Sequence, residues 1–582
     1  GDKNIGVMFP VNVSVSIVSD GAETQVTFDC ADTSLTAFEV SGDVNSVTFG
    51  SLYVANCSTG IHFAPNAAGF GLTVDGTDFH QIEHPLSFRG SYLTVSQCSF
   101  NATTHGVEVS TATNVTIEQS FFYATTEDSI SIASGNMDSV VVSNCTFQAA
   151  AGLIFNVPPY VEANSSTPNA FNGDIEDCIF EDISTAAISF ADNDWVVKNC
   201  EISNSFAGIL YLGVIEGSTL VVDDTNIQTA GIAITYTAPG MLQLSGDSLL
   251  EAATGVFISQ ANEFKIGSDD DDVVTFTGGN SSINVDCIAC SMGIDFDRIS
   301  CNNTGPISFT VADGSDATIS HITVTNPVGR ALNIQGGHWG IQSVSVAGST
   351  HIDSNGGAFH FSSMTGNGTF DLEDCTVTGA SAVNGGAVFV SSAALNIDGC
   401  NFENNQATGR GGAIYAEKLV NGSFSITGAQ STFSGNSAGS TGGAIDLESL
   451  DTSSSVLNVC IDTVDFTSNN ATTGAAVSCC NENNCNVTLV YTPDGDVTLE
   501  DNFNSDTNGS DVTCTVVTGS CQAAASDPDE YLSPVTIDTE PVDWLKWLVL
   551  GLAAFLVVAL IAVGGMGVYV HRKRTKTYDY ME

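Results

Sequence analysis

Apolar and polar residues alternate along this chain in a way that no single straight strand satisfies. In Leu93-Thr94-Val95-Ser96-Gln97-Cys98-Ser99-Phe100, Leu93 and Val95 share one parity, while Cys98 and Phe100 share the other. Side chains on a strand alternate faces, so one buried face accommodates only one of these pairs. A corner at Ser96–Gln97 turns the chain and lets both pairs point inward. The same corner recurs at Ser143–Asn144, Glu176–Asp177, Lys198–Asn199 and Asp398–Gly399. Asn, Asp and Gly tolerate the left-handed backbone that such corners need. A third apolar pair follows at a small residue, as in Gly106-Val107-x-Val109, Gly208-Ile209-x-Tyr211, Gly231-Ile232-x-Ile234 and Gly255-Val256-x-Ile258.

Three short strands per turn, repeated, predict an all-β solenoid, a right-handed single-stranded parallel β-helix. Thr59, Phe79, Phe100, Phe122, Phe147, Phe180, Ile202, Ile227 and Leu249 track one position of the coil. Their spacing is about 20 to 25 residues, with one gap of about 33 that implies an insertion near Pro158–Pro168. A β-propeller requires longer strands and a period nearer ~40 residues. At a strand spacing near ~4.8 Å, roughly twenty coils make a rod on the order of 100 Å long.

Charge narrows the function. The 582 residues carry a formal net charge of -53. The only Lys and Arg before position 547 are Lys3, Arg89, Lys198, Lys265, Arg298, Arg330, Arg410, Lys418 and Lys546. Such a surface repels phosphate backbones, which excludes nucleic acid as a partner. It reads first as solubility for a long β-rich rod, with high salt, divalent cations or basic partners as the alternatives. The densest acidic run, Asp269-Asp270-Asp271-Asp272, lacks the alternating ligand spacing of a Ca²⁺ loop and reads first as a solvated loop, with Ca²⁺ as the alternative.

Trp547 to Val570 is an unbroken apolar run long enough to cross a bilayer as a helix. Trp544 and Trp547 mark one interface and Tyr569 the other, and His571-Arg572-Lys573-Arg574-x-Lys576 follows. Basic residues flank the cytoplasmic end of a span, so a single-pass type I topology at a cell surface or viral envelope is expected, with the N-terminus outside. A cleaved signal peptide explains the start at Gly1-Asp2. The expected layout is a β-helix ectodomain over 1–522, an acidic stalk over 523–543, a transmembrane helix over 544–570 and a tail over 571–582. In that tail, Tyr578 and Met581 fit the Y-x-x-Φ sorting pattern, which resembles the signals read by clathrin adaptors.

An outside location makes N-linked glycans the expected modification, with no other cofactor. The sequons are Asn12, Asn56, Asn101, Asn114, Asn144, Asn164, Asn280, Asn302, Asn367, Asn421, Asn470, Asn486 and Asn508. The cysteines divide by position. Cys98, Cys145, Cys178, Cys200, Cys375 and Cys400 share one inward slot and read as buried thiols, the role Thr77 and Thr225 take in other coils. Pairing of stacked neighbours such as Cys178–Cys200 or Cys375–Cys400 is the alternative. Cys460, Cys479, Cys480, Cys485, Cys514 and Cys521 cluster over 460–521 and read as a disulfide-stapled cap. Cys287, Cys290 and Cys301 have some zinc-ligand spacing but no fourth ligand, and an oxidising location favours a disulfide among them.

Over 356–477 the coils sharpen. Gly385-Gly386-Ala387-Val388, Gly411-Gly412-Ala413-Ile414 and Gly442-Gly443-Ala444-Ile445 alternate with Phe402-x-x-Asn405, Phe433-x-x-Asn436 and Phe466-x-x-Asn469. Gly356-Gly357-Ala358-Phe359 and Gly474-Ala475-Ala476-Val477 are degenerate copies. This resembles the GGA[ILV]/FxxN repeats of chlamydial polymorphic membrane proteins and similar protist surface proteins, within the pectin-lyase-like superfamily. The resemblance implies adhesion. Those bacterial proteins end in an outer-membrane β-barrel, whereas this chain ends in an apolar helical run. The residues themselves predict that Gly-Gly makes a tight corner, Ala-Ile opens the third strand, and Phe and Asn fill the core and satisfy corner backbone.

A catalytic constellation is missing from the pattern. Lyases of the superfamily place a cationic base beside acidic Ca²⁺ ligands, and the few basic residues here are scattered. Asp223-Asp224 falls at a coil corner, and Gly336-Gly337-His338-Trp339 has the wrong order for a polygalacturonase-type motif. Inverting hydrolysis needs a carboxylate pair across a cleft, and acidic residues are too abundant to nominate one. His338-Trp339 and the insertion near Tyr160 are the candidate exposed loops. The expected function is therefore a non-catalytic adhesin or surface-coat component whose partners are other surface proteins or glycans. A carbohydrate-binding or endocytic receptor is the alternative, and a cryptic polysaccharide lyase or hydrolase the third.

Overall fold

The computed structural model describes residues 14–518, less 19–25, 31–33, 43–44, 66–69, 134–136, 151, 156–171, 215, 268–271, 288–292, 313, 420–423, 450–456, 480–486, 492–496 and 507–509. These residues all lie in one compact unit spanning Gly1–Cys521. They form a right-handed parallel β-solenoid, and no helix occurs among them. The apolar run from Trp547, the tail residues Tyr578 and Met581, and the insertion near Tyr160 lie outside the described residues. Among the described residues no helix is long and apolar enough to cross a membrane.

Each coil contributes three strands. In one coil these are Tyr92–Ser96 on the first face, Ser99–Asn101 on the second and Val107–Thr111 on the third. Every ladder is parallel and joins one coil to the next, as in Leu93 beside Val115 and Phe100 beside Phe122. The corner expected between the first two faces is present, with positive φ at Gln97, Asn144, Asp177, Asn199 and Gly399. On the first-face strands the burial alternates, leaving Leu93 and Val95 inside and Thr94 half-exposed.

One column records the register for most of the length. It runs Phe28, Val54, Phe79, Phe100, Phe122, Phe147, Phe180, Ile202, Ile227, Leu250, Phe276, Cys301, Val324, Val346, Val377, Phe402, Phe433, Phe466, Leu499. From Phe79 to Phe180 the rings stack with centroids 5.0, 4.6, 4.8 and 4.7 Å apart. Phe147 pairs directly with Phe180, so the long gap is an insertion between coils. Three positions differ from the sequence reading. Val54 rather than Thr59 precedes Phe79, because Thr59 opens a third-face strand. Leu250 rather than Leu249 fills the core, and Leu249 points outward. On the third face the inward pair is Ile234 and Tyr236, with Ile232 beside Thr254 near the corner.

The repeat coils add a fourth, two-residue strand. Thr350–His351, Ser381–Ala382, Gln406–Ala407, Ser437–Ala438, Asn470–Ala471 and Phe503–Asn504 pair as a separate small sheet. Coil stacking continues through Leu457–Ile461 and Val487–Tyr491 to Thr515–Thr518, into the segment expected as a cap.

Candidate functional site

The repeat motif resolves into a corner and a ladder. The first Gly of each pair takes a left-handed conformation, with φ 73° at Gly356, 62° at Gly385, 63° at Gly411 and 67° at Gly442. A Cβ on Gly442 would lie 2.4 Å from Ile445 O and 2.6 Å from Asp446 Cβ. The corner therefore folds over the outward residue four positions on, which is why Phe389, Tyr415 and Asp446 are buried although they point away from the core.

Asn405, Asn436 and Asn469 form a ladder along the stack. Asn436 Nδ2 donates to Phe402 O at 2.9 Å and to Asn469 Oδ1 at 3.1 Å. Its Oδ1 accepts from Asn405 N and Asn405 Nδ2, both at 3.0 Å. Asn469 repeats the pattern with Phe433 O and Asn502 Oδ1. A primary amide carries two N–H donors and a carbonyl acceptor, so it bonds corner backbone and the next amide of the ladder at once.

Beside the ladder sits a closed charge network. Arg410 Nε and Nη2 donate to the two carboxylate oxygens of Asp446 at 3.0 and 2.8 Å, and Nη1 donates to Glu448 Oε2 and, at 3.2 Å, to Tyr415 Oη. Tyr415 Oη donates to Glu448 Oε2 at 2.6 Å, and the guanidinium lies 4.8 Å over the Tyr415 ring. Thr441 Oγ1 completes the Asp446 shell. Burial pushes the Asp446 carboxyl up against the pull of Arg410 and Thr441. Glu448 also feels burial, but Tyr415 and Arg410 outweigh it and hold its carboxyl below the usual range. Every charged group here is satisfied inside the network, which marks it as structural.

The first face carries the candidate contact site. A groove of ≈ 480 Å³ is lined by Thr318, Ser320, Gly340, Gln342, Asp371, Glu373, Asn396 and Asp398 over consecutive coils. Its depression has a simple cause. Thr318, Gly340, Asp371 and Asn396 form one outward row, and Gly340 contributes no side chain. A Cβ at Gly340 would meet nothing closer than Thr318 Cγ2 at 3.9 Å. The walls are bonded along the row, Asn396 Nδ2 to Asp371 Oδ1 at 2.7 Å and Ser425 Oγ to Asn396 Oδ1 at 2.7 Å. Just beyond, burial of Asp297 is outweighed by His321 at 2.7 Å, Ser320 and Arg298, which hold its carboxyl low. Carboxylates, amides and hydroxyls line the groove, with neither a basic nor an aromatic side chain among them. Such a lining suits a polyhydroxylated or cationic partner.

The structure sorts the remaining sequence candidates. Cys98, Cys145, Cys178, Cys200, Cys375 and Cys400 are free buried thiols. Each Sγ points at the carbonyl two residues back, for example Cys98 to Ser96 O at 3.2 Å and Cys200 to Lys198 O at 3.2 Å. Thr225 makes the same bond to Asp223 O at 2.8 Å. Burial pushes the Cys98 thiol up to about 12. Cys301 corrects the expectation of a disulfide with Cys287 or Cys290. It is a free thiol in the phenylalanine column, pushed up to about 11 by burial, and its inward direction keeps it from surface partners. The side chain of Cys287 and all of Cys290, Cys480, Cys485 and Cys521 lie outside the described residues. Cys479 bonds Cys514 across 35 residues, and Cys460 is also disulfide-bonded. The Cys30–Cys57 disulfide was not expected.

Asn144, Asn280, Asn302, Asn367 and Asn470 are exposed, and Asn56, Asn101 and Asn114 half-exposed; Asn12, Asn164, Asn421, Asn486 and Asn508 lie outside the described residues. Of the acidic run only Asp272 is described. Trp339 is not an exposed loop residue: it is a buried core side chain on a first-face strand, with its indole bonded to Gly336 O at 2.8 Å. His338 beside it is exposed. Two histidines that the sequence pattern did not single out, His84 and His105, meet on adjacent coils beside Glu108.

Comparison with known families matches these features. Residues 17–166 match the right-handed β-helix region model. Residues 399–417 and 430–448 match the chlamydial polymorphic membrane protein repeat, on the coils that carry the glycine corners and asparagine ladder. No curated protein and no solved structure matches the chain. The continuous column and the matched repeats together show a right-handed β-helix whose later coils resemble the repeats of the chlamydial polymorphic membrane proteins.

Proposed function

We propose that the chain is a non-catalytic surface protein, an adhesin or coat component, held to a membrane by Trp547–Val570 with its coils outside and N-glycosylated. One observation carries this reading: the coils with polymorphic-membrane-protein repeats use their glycines, asparagines and Arg410 internally, leaving the outward rows, with the Gly340 groove, for contact. The absence of Lys and Arg from the groove lining speaks against lyase chemistry, which needs a cationic group beside the carboxylates. The test is display of the full chain on cells with an N-terminal epitope tag, followed by a cell-adhesion assay. Antibody reaches the tag without permeabilisation, and Gly340→Gln, which fills the groove without a backbone clash, lowers adhesion. A tag reached only after permeabilisation, or sugar release by the wild type, overturns the reading.

A carbohydrate-binding receptor is the second reading, favoured by Phe121 and Tyr123. These outward residues are about 40 % exposed, and their rings lie side by side, 6.2 Å apart and 8° from coplanar. Such a platform suits the apolar face of a sugar ring. Loss of glycan-array binding in Phe121→Ala with unchanged binding in Gly340→Gln would select it. Unchanged surface turnover of Tyr578→Ala would remove endocytosis from it.

A further inference from the structure

The third-face strands His84–Arg89 and Val107–Thr111 run in register, with Leu86 beside Val107 and Ser87 beside Glu108. His84 and His105, each two residues before that pair, are therefore neighbours one coil apart. Their rings stack at 4.9 Å and 10°. Glu108 Oε2 lies 2.6 Å from His84 Nδ1. One ligating atom from each of the three residues lies within 4.8 Å of the others. Further carboxylates stand behind them, Glu127 Oε2 at 3.3 Å from His105 Nε2 and Glu83 Oε1 at 3.8 Å from His84 Nε2.

An ordinary ion-pair cluster accounts for His84, Glu108 and the Nε2 of His105, but not for the Nδ1 of His105. The His105 side chain is 15 % exposed, and its Nδ1 is shielded from solvent without a hydrogen-bond partner. A shielded ring nitrogen without a partner costs stability unless something else approaches it.

We propose that His84, His105 and Glu108 bind a first-row divalent transition metal of the zinc or copper class, leaving a coordination position for water or a partner's side chain. Two imidazoles and one carboxylate form the three-ligand set of open zinc sites, whereas Ca²⁺ and Mg²⁺ prefer all-oxygen shells. Tetrahedral ligand bonds of about 2.0–2.2 Å place ligand atoms roughly 3.3–3.6 Å apart. Side-chain rotation therefore has to close the 4.8 Å spread by about 1.2–1.5 Å and open the 2.6 Å contact of His84 with Glu108 by about 0.7–1.0 Å. The ligands sit on or beside strands of consecutive coils, where backbone positions are fixed. Glu127, 3.3 Å from His105 Nε2, is placed to bond that second ring nitrogen and orient the imidazole, as outer carboxylates do around metal-bound histidine, while Glu83 stands farther off at 3.8 Å from His84 Nε2. The site does not depend on the adhesin reading.

The experiment is isothermal titration of the EDTA-stripped, detergent-purified full chain with ZnCl₂, alongside Cu²⁺ electron paramagnetic resonance. One zinc ion per chain should bind, and the Cu²⁺ spectrum should show coupling to two imidazole nitrogens. His84→Ala and His105→Ala should each weaken zinc by more than about 100-fold, and the orienting change Glu127→Gln by about 10-fold. His321→Ala, which removes a histidine–carboxylate pair elsewhere on the solenoid, should leave affinity unchanged, and CaCl₂ should not compete. Circular dichroism checks that each variant is folded; if the histidine variants unfold, the wild-type nitrogen coupling decides. Absence of saturable zinc binding, undiminished affinity in folded His84→Ala and His105→Ala, or a Cu²⁺ spectrum without nitrogen coupling overturns the proposal.

Discussion

Lowering the pH from 7 to 5 should destabilise the repeat coils by about 2 kcal/mol through one side chain, His360. It points outward from the strand Phe359–Ser362, yet Phe389 stacks on it at 5.1 Å and 12°. Its Nδ1 lies 3.0 Å from Asn333 Oδ1, which places a ring proton on Nδ1. Burial, reinforced by Arg330 and His351, pushes the imidazole from its ordinary 6.5 down to about 4. The folded ring therefore stays neutral until about pH 4, while the unfolded ring takes up a proton below about 6.5. A depressed folded value gives stability that is complete above the unfolded value and lost as pH falls toward the folded one. At about 1.36 kcal/mol per unit, the loss is about 2 kcal/mol at pH 5 and about 3 at pH 4. Urea unfolding followed by tryptophan emission suits the measurement, because Trp339 is buried on the first-face strand of the same coil. Carboxylates titrate over the same range, so wild type is compared with His360→Gln, which removes only this ring's titration. The stability difference between them should shrink by about 2 kcal/mol from pH 7 to pH 5. A difference that stays constant refutes the neutral buried ring.

Further outcomes test the architecture. Asn436→Ala removes two donated and two accepted bonds, and at about 1–3 kcal/mol per stranded buried group it should cost more than about 3 kcal/mol in urea unfolding. Gly442→Ala should lower the thermal midpoint, since its Cβ would meet Ile445 O at 2.4 Å, while Gly340→Ala should leave it unchanged. In native protein a maleimide should leave Cys98, Cys145, Cys178, Cys200, Cys301, Cys375 and Cys400 unlabelled until denaturant is added, and Cys514→Ser should cost about 4 kcal/mol from the 35-residue loop it opens.

The phenylalanine column was legible because each coil repeats the same parity break, which only a corner resolves. Register slipped where two apolar residues adjoin, as at Leu249-Leu250, since either parity fits a single coil and only the neighbouring coil decides. The glycine corners and asparagine ladder were read correctly from residue chemistry. The reach of that ladder was not. Cys57, Ile82, Thr103, Thr125, Ala150, Ile183 and Ser205 each lie three residues after the column residue, the slot that becomes Asn405, Asn436 and Asn469 in the later coils. Cysteine there bonds Cys30 on the preceding coil, and no sequence spacing announces it. His84 and His105 were invisible for a similar reason: they fall on a corner with no apolar pattern of their own, so only coil stacking brings them together.

The strongest physical constraint on the outside is charge. In a parallel stack, each outward residue has a neighbour about 4.8 Å away on the next coil, and like charges in that relation repel. With 66 acidic residues against 13 basic ones, counter-ions from the chain cannot separate them. Hydroxyls and amides do so instead. Ser96 donates to Asp75 at 2.7 Å, Ser245 to Asp223 at 2.8 Å, Ser320 to Asp297 at 2.9 Å, Gln148 to Glu181 at 3.0 Å and Asn396 to Asp371 at 2.7 Å, each across one coil boundary. This interleaving explains how so acidic a solenoid stays stacked with so few cations. Its exceptions are then informative. Glu417 and Glu448 are in register, and Arg410 answers Glu448. Glu373 and Asp398 are also in register, in the groove floored by Gly340, where no basic side chain lines the wall. Carboxylates placed side by side without a chain cation stand to gain most from a basic or polyhydroxylated partner, so under the proposed adhesin reading that groove, rather than the interleaved rows around it, is the surface to test for contact.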